Sequence, residues 1–252
     1  MYIIIPMAGE SSRFFNAGYT IPKYMLPLGD ETVFDKSVKT FQAYFNNAYF
    51  IFVVKKDKYD TFEFVNDHAS LLGIKHFDVV ALDEQTRGQA ETVYKAIRQT
   101  GIEDTYSELV IFNIDTIRKN LDIPKGNFTS YFDAFYDINA DPKKWSFCAV
   151  DNVFNCLIAT AEKEKISNWC STGLYIFGTV RLFCRAYIDA VELENYNYNY
   201  YIAPLYNFLI PKNNKGMSMK SSNLLLKCPI EDVEFAGVPE EYEALKIKYK
   251  IE

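Results

Sequence analysis

The alternation of apolar and polar positions divides the chain into two unlike halves. Residues 2–7 form a continuous apolar run, the pattern of a strand buried on both faces, and break at once into Ala8-Gly9-Glu10-Ser11-Ser12-Arg13. Phe34, Val38, Phe41 and Phe45 recur at helical spacing and predict a helix over 34–45, followed by a buried strand at 49–54. A helix over 59–72, a strand at 79–82, a helix over 89–100 and a short strand at 109–112 continue the alternation. That last strand ends at Asn113-Ile114-Asp115. Strand–helix alternation of this kind predicts a doubly wound, Rossmann-like α/β fold with a mostly parallel sheet.

The later part of the chain has fewer helices between its strands, at 146–150, 156–161 and 173–177, so the sheet is expected to become mixed. A helix over 180–191 precedes the aromatic stretch Tyr196-Asn197-Tyr198-Asn199-Tyr200-Tyr201, and a helix opened by Pro239 closes the chain over 239–249. No repeat, low-complexity linker or Pro/Gly-rich hinge interrupts the sequence. A single domain with two halves, 1–120 and 121–252, is therefore expected.

Composition narrows the function more than the fold. With 252 residues, 49% of them apolar, the chain can bury a sizeable core without disulfide or metal staples. Its 27 basic and 33 acidic residues give a formal charge of −6, which argues against a general nucleic-acid or membrane-surface binder. The cysteines (Cys148, Cys156, Cys170, Cys184, Cys228) are odd in number and form no CxxC pair, so reduced thiols in a reducing compartment are expected. The apolar N-terminal run is too short for a signal peptide or a membrane span, and a cytoplasmic location follows as the expectation. His68 and His76 have no metal or catalytic spacing.

The loop after the first strand carries the first chemical signal. Ligands of α/β sheets bind at that end of the strands, and small residues there let backbone N–H groups approach phosphate oxygens closely. Arg13 can supply a forked donor, and Lys23 in Ile21-Pro22-Lys23 a second cation. Nucleotidyl transfer puts negative charge on the α-phosphate and on departing pyrophosphate, and two cations with a metal ion would stabilise both. The plainer alternative is a surface loop that merely carries an Arg and a Lys. Neither GxGxxG nor GxxxxGK[ST] is present, which argues against a dehydrogenase and a P-loop ATPase.

Pro6-Met7-Ala8-Gly9-Glu10-Ser11-Ser12-Arg13-Phe14, with Gly18-Tyr19 and Pro22-Lys23, resembles the signature of the sugar-phosphate nucleotidylyltransferases, or nucleotide-sugar pyrophosphorylases. It is most similar to short forms found in capsule and lipopolysaccharide biosynthesis. Further blocks follow in order: Thr86-Arg87-Gly88-Gln89-Ala90-Glu91-Thr92, Asn113-Ile114-Asp115, Glu162-Lys163, Ser171-Thr172-Gly173-Leu174-Tyr175 and Gly237-Val238-Pro239-Glu240-Glu241. The resemblance spans nearly the whole chain.

The resemblance implies transfer of a nucleoside monophosphate from an NTP to a sugar 1-phosphate or similar phosphorylated acceptor, with release of pyrophosphate. The first half would bind nucleotide and the second the acceptor. Arg13 and Lys23 would hold the triphosphate. The loop Ala8, Gly9, Glu10, Ser11 and Ser12, together with Gly88, would contact the nucleotide. Asp115 corresponds to the family's Mg²⁺ ligand, with Mn²⁺ as a substitute. A second carboxylate is expected two residues before Gly237, where this chain has Phe235, so either Glu234 or Asp232 replaces it or one protein carboxylate with the nucleotide phosphates suffices. Ser11 stands where the family has glycine, and a left-handed backbone there would cost about 1 kcal/mol. Asp83 corresponds to the base-reading position. A carboxylate only accepts, which suits the cytosine amino group and favours CTP over UTP, dTTP or GTP, unless Gln85 reads the base. Glu162 and Lys163 would bind acceptor hydroxyls and phosphate, with Asn113 and the backbone at Gly173 alongside. The Tyr196–Tyr201 stretch could stack on a sugar, pack internally or form a homodimer surface. Two rival readings remain at this point: a GT-A-type glycosyltransferase using an NDP-sugar, and an inactive nucleotide-binding subunit, suggested by Ser11 and Phe235.

Overall fold

The computed structural model describes residues 1–151, 153–193, 200–211 and 222–249. The buried apolar run forms β1 (Tyr2–Pro6), in which Ile3, Ile4 and Ile5 have no exposed surface. After the small-residue loop come the short helix α1 (Ser12–Asn16) and a tight pair, β2 (Pro27–Leu28) and β3 (Glu31–Thr32). Helix α2 (Val33–Val38) starts at a capping box: the Thr32 hydroxyl accepts the Asp35 N–H at 3.1 Å, and the Asp35 carboxylate accepts the Thr32 N–H at 2.9 Å.

The expected helix over 34–45 ends early. After Val38 the chain tightens into a 3₁₀ segment, Lys39–Tyr44, in which Phe41 (φ −103°, ψ 20°) leaves helical geometry altogether. Phe41 is fully buried edge-on against Phe112 and Phe50, with ring centroids 5.0 and 6.3 Å away. Placing that ring in the core outweighs helical continuity.

The chain continues through β4 (Tyr49–Lys55), α3 (Thr61–Leu71), β5 (Phe77–Leu82), α4 (Gln89–Thr100), β6 (Leu109–Phe112), β7 (Thr116–Arg118) and β8 (Ser130–Tyr136). It ends through β9 (Ser146–Val150), β10 (Leu157–Glu162), β11 (Trp169–Phe177), α5 (Val180–Glu192), β12 (Asn223–Lys227), β13 (Val233–Phe235) and α6 (Pro239–Lys248). The architecture is a mixed central sheet with flanking helices, the class expected from the strand–helix alternation. All five cysteines are free thiols. No helix among the described residues is long and apolar enough to cross a membrane.

The chain packs as two compact units. One comprises residues 3–85, 112–123 and 231–252. Its strands lie in the order β1-β4-β5, with β4 and β5 parallel, and β7 pairs antiparallel with β13. Helix α6 closes a core of Phe14, Leu26, Leu28, Ile117, Tyr242 and Leu245. The Tyr242 hydroxyl donates to the Pro27 carbonyl at 2.7 Å, so this large ring is buried without stranding its polar end.

The other unit comprises residues 1–2, 86–111 and 124–230. Its strands run β10-β9-β11-β6, and β8 lies between β11 (antiparallel) and β12 (parallel). The antiparallel β8–β11, β9–β10 and β9–β11 pairs supply the mixed character expected of the later part of the chain. The register of β11 against β8 slips between Ser171 and Tyr175, where Gly173 takes φ +89°. That bulge needs glycine at its centre. Among the described residues strand β10 pairs with β9 alone, and its other edge is met by a side chain: Asn207 Oδ1 accepts the Thr160 N–H and Nδ2 donates to the Thr160 carbonyl, both at 2.8 Å.

Candidate active site

The first unit gathers the loop residues. Ser11 sits in the left-handed region (φ 50°, ψ 25°) as N-cap of α1, and its carbonyl accepts the Phe14 N–H at 2.9 Å. The strain anticipated for a serine here is therefore present. Partial compensation comes from the Ser11 hydroxyl, which accepts the Lys23 N–H at 3.3 Å and ties the loop to the lysine's own backbone. Ala8 is half-buried, whereas Gly9, Glu10, Ser12 and Arg13 are exposed. A cavity of about 340 Å³ opens beside the loop, lined among others by Gly9, Ser11, Ser12, Tyr24, Lys55 and Tyr59. Lys55 Nζ donates to Glu10 Oε1 at 2.7 Å.

Lys23 and Asp115 come together. The lysine ammonium donates to Asp115 Oδ2, and both side chains are about four-fifths buried (22% and 21% exposed). Asp115 lies in the turn between β6 and β7, where the Thr116 N–H donates to the Asn113 carbonyl at 3.1 Å. The Asp115 carbonyl accepts the Ala236 N–H at 2.8 Å. A β-carbon at Gly237 would stand 3.0 Å from Asp115 Oδ2 and 3.4 Å from Glu241 Oε2. The Gly237 block thus has a physical reason: only a residue without a side chain passes this close to the carboxylate without displacing it.

Asp83, just beyond β5, is exposed and paired with Lys56, and Gln85 is exposed as well. In the second unit, Gly88 is the N-cap of α4. Beside it, Arg87 forks onto Glu91, with Nη2 and the backbone N–H donating at 2.8 and 2.6 Å. Burial pushes the Glu91 carboxyl up, but its hydrogen bonds from Arg87 outweigh this and hold it below the usual carboxylate range.

The same unit carries the acceptor candidates. Glu162 ends β10 and accepts a hydrogen bond from the Ser146 hydroxyl. Burial raises its carboxyl above the ordinary glutamate value, against the opposing pull of Ser146 and Lys163. Lys163 follows at φ +56°, a left-handed backbone outside glycine. Its N–H donates to the Trp145 carbonyl at 3.0 Å and its Nζ to Tyr201 Oη at 2.7 Å. Gly173 is buried at the bulge of β11, its N–H donating to the Ser171 hydroxyl at 3.0 Å. Tyr200 and Tyr201 of the aromatic stretch are described, whereas Tyr196, Asn197, Tyr198 and Asn199 lie outside the described residues.

The nucleoside-diphosphate-sugar pyrophosphorylase of Vibrio cholerae RC9 is 41% identical over 96% of this chain and 98% of its own, with a TM-score of 0.83. The chain belongs to that family. This pyrophosphorylase fold recurs at lower identity. A putative glucose-1-phosphate thymidylyltransferase from Bacillus anthracis is 17% identical, with 99% and 95% of the two chains covered and a TM-score of 0.73. The inositol-1-phosphate CTP transferase from T. maritima is 14% identical, with 99% and 96% covered and a TM-score of 0.69. No protein-family model and no curated relative matches the chain. As a pyrophosphorylase, the protein is a sugar-phosphate nucleotidyltransferase.

The two carboxylates expected to hold metal differ sharply. Both Glu234 oxygens are engaged: Oε1 accepts from Lys119 Nζ at 2.6 Å and from Lys248, and Oε2 accepts from the Tyr249 hydroxyl at 2.7 Å. Burial pushes the Glu234 carboxyl up, but these donors prevail and keep it below the ordinary value. Its donor set describes a structural tie between β7, β13 and α6. Asp232 is likewise engaged, accepting from Asn120 Nδ2 at 2.8 Å. Among the described residues no three His, Cys, Asp or Glu side chains cluster to hold a metal. Asp115 alone fits a hard cation that takes its remaining ligands from phosphates and water, the common mode for Mg²⁺.

Sequence reasoning missed several features of this pyrophosphorylase. Tyr201 and Ser146 are joined to Lys163 and Glu162 only by the fold. Lys55 and Tyr59 reach the loop cavity from the end of β4 and the segment after it, with no motif to mark them. The left-handed Lys163 has no signature, because lysine is not a residue that ordinarily announces positive φ.

Proposed function

We propose that this enzyme transfers CMP from CTP to a sugar 1-phosphate, releasing pyrophosphate, in the cytoplasmic supply of precursors for a surface polysaccharide. The observation that carries nucleotidyl transfer is the Lys23–Asp115 pair held beside the Ser11 loop. Arg13 and Lys23 bind the triphosphate, with the loop 8–12 and Gly88 completing the nucleotide contacts. Asp115 would hold Mg²⁺, or Mn²⁺ in its place. When bound, that cation neutralises charge on the nucleotide phosphates.

An acceptor phosphate oxygen attacks the α-phosphorus in line with the departing pyrophosphate, forming one P–O bond as the other breaks. A phosphate monoester is already largely ionised at neutral pH, so no general base is needed, and catalysis rests on positioning and charge. Lys23 must exchange its contact with Asp115 for phosphate oxygens as the nucleotide arrives. Lys163 meets the acceptor phosphate, while Glu162, Gly173 and Asn113 meet its remainder. A Glu162 whose carboxyl is pushed up by burial is suited to exchanging hydrogen bonds with acceptor hydroxyls beside Lys163.

Asp83 supports CTP: an exposed carboxylate with one oxygen on Lys56 keeps another to accept from an exocyclic amino group. The test is pyrophosphate release over a matrix of CTP, UTP, dTTP, GTP and ATP against phosphorylated sugars, polyols and amino alcohols. Highest turnover with CTP and a sugar 1-phosphate is expected. A preference for UTP or dTTP would refute the base assignment, and a polyol or amino alcohol acceptor would refute the sugar.

A further inference from the structure

Tyr200 and Tyr201 are neighbours in sequence, yet their side chains serve two separate parts of the second unit. The Tyr200 carbonyl accepts the Ala90 N–H at 2.7 Å, in the first turn of α4. Its ring lies 4.0 Å from the Arg87 guanidinium carbon, and its hydroxyl accepts from Arg87 as well. Arg87 is itself fixed by Glu91. This end of the segment is thus anchored on the Thr86–Thr92 block, the stretch that carries Gly88.

The next residue turns to Lys163. Tyr201 Oη accepts from Lys163 Nζ at 2.7 Å, and its ring centroid is 4.9 Å from the same ammonium. The lysine's backbone is held in the left-handed region, where only a surrounding structure that over-determines it keeps a non-glycine residue. Its N–H on Trp145 and the preceding carboxylate on Ser146 provide that determination. An exposed lysine just past the end of a strand would otherwise sample many rotamers. Here both its ends are fixed.

The choice of partner matters. A carboxylate would neutralise the ammonium and have to be displaced before an anion could bind, as Asp115 does for Lys23. A phenol hydroxyl takes one of the three ammonium donors without bringing a charge of its own, leaving two donors for an anion. We propose that Tyr201 is a positioning residue that presents Lys163 to the acceptor's phosphate monoester, with Tyr200 anchoring it through Arg87 and Ala90. The inference rests on the assignment of Lys163 to the acceptor phosphate made above.

The experiment follows pyrophosphate release by the full chain at saturating nucleotide, varying α-D-glucose 1-phosphate or the better acceptor selected by the matrix above. Tyr201→Phe deletes one oxygen and keeps the ring. It should raise the acceptor KM about 10-fold, the scale of one lost hydrogen bond to a charged group. The maximal rate and the nucleotide KM should stay near wild type. Lys163→Ala should raise the acceptor KM further, and adding Tyr201→Phe to it should change nothing more, because the tyrosine acts through the lysine. A purely structural Tyr201 would instead lower kcat or add its full effect in the double variant. If Lys163→Ala raises the acceptor KM and Tyr201→Phe does not, the positioning role is wrong and the functional reading stands. If Lys163→Ala leaves the acceptor KM unchanged, the assignment of Lys163 itself fails.

Discussion

Ser11 offers a quantitative test of how the loop after β1 is held. Its backbone lies at φ 50°, ψ 25°, a conformation that costs an L-residue about 1 kcal/mol relative to glycine. Against that stands the 3.3 Å hydrogen bond from the Lys23 N–H to the Ser11 hydroxyl, long enough to belong at the weak end of the range, ~0.5 kcal/mol. Ser11→Ala removes the hydrogen bond and keeps the strain. Ser11→Gly removes both, while giving the unfolded chain back roughly 0.4–1 kcal/mol of entropy. The glycine variant should therefore lie within ~1 kcal/mol of wild type, and the alanine variant should be no more stable than it, trailing by up to ~0.6 kcal/mol. At this chain length 1 kcal/mol corresponds to a melting shift of about 2–4 °C, readable by calorimetry. An alanine variant clearly more stable than the glycine variant would show that the loop relaxes out of the left-handed region and would refute the strain assignment.

Two further outcomes follow from the paired charges. Lys23→Ala and Asp115→Asn should each lower kcat/KM by at least ~10²-fold, the usual cost of losing a charge-stabilising group. The double variant should lose less than the product of the two, since the residues act on one cluster; near-normal rates in both single variants would overturn the assignment. Glu234→Gln should cost ~1–3 kcal/mol of stability at neutral pH, because three donors lose a charged acceptor. Glu234 titrates below its ordinary 4.5 in the folded protein, so its contribution is complete above that value and disappears as pH falls through the lower, folded one. Melting both proteins across an acid series should show the gap closing. A gap that persists into acid would mean the tie does not depend on the carboxylate's charge.

The parts of the fold that were legible share one property: their pattern is set locally. Gln89–Thr100, Leu109–Phe112 and Ser146–Val150 form as the periodicity predicts, residue for residue. Strands β7, β12 and β13 escaped notice because three to five residues paired with distant partners leave no periodic trace. The break after Val38 was hidden for a different reason. A helical spacing of phenylalanines says that Phe41 is buried, not that the backbone must bend to bury it. At the candidate site, the loop and Lys23 could be read together because they share one short segment, whereas the contact of Lys23 with Asp115 is made only by the fold. The contact of Tyr201 with Lys163 likewise depends on where β10 ends.

The side-chain amide of Asn207 on Thr160 bears on how this enzyme behaves at cellular concentration. An open sheet margin is a template on which a second molecule can add a strand, and the margin in question is the one that leads to Glu162 and Lys163. By mimicking the donor and acceptor of a neighbouring strand, one asparagine makes that template unreadable at its midpoint. The edge is thereby blocked to strand addition while Lys163, just past its end, stays exposed.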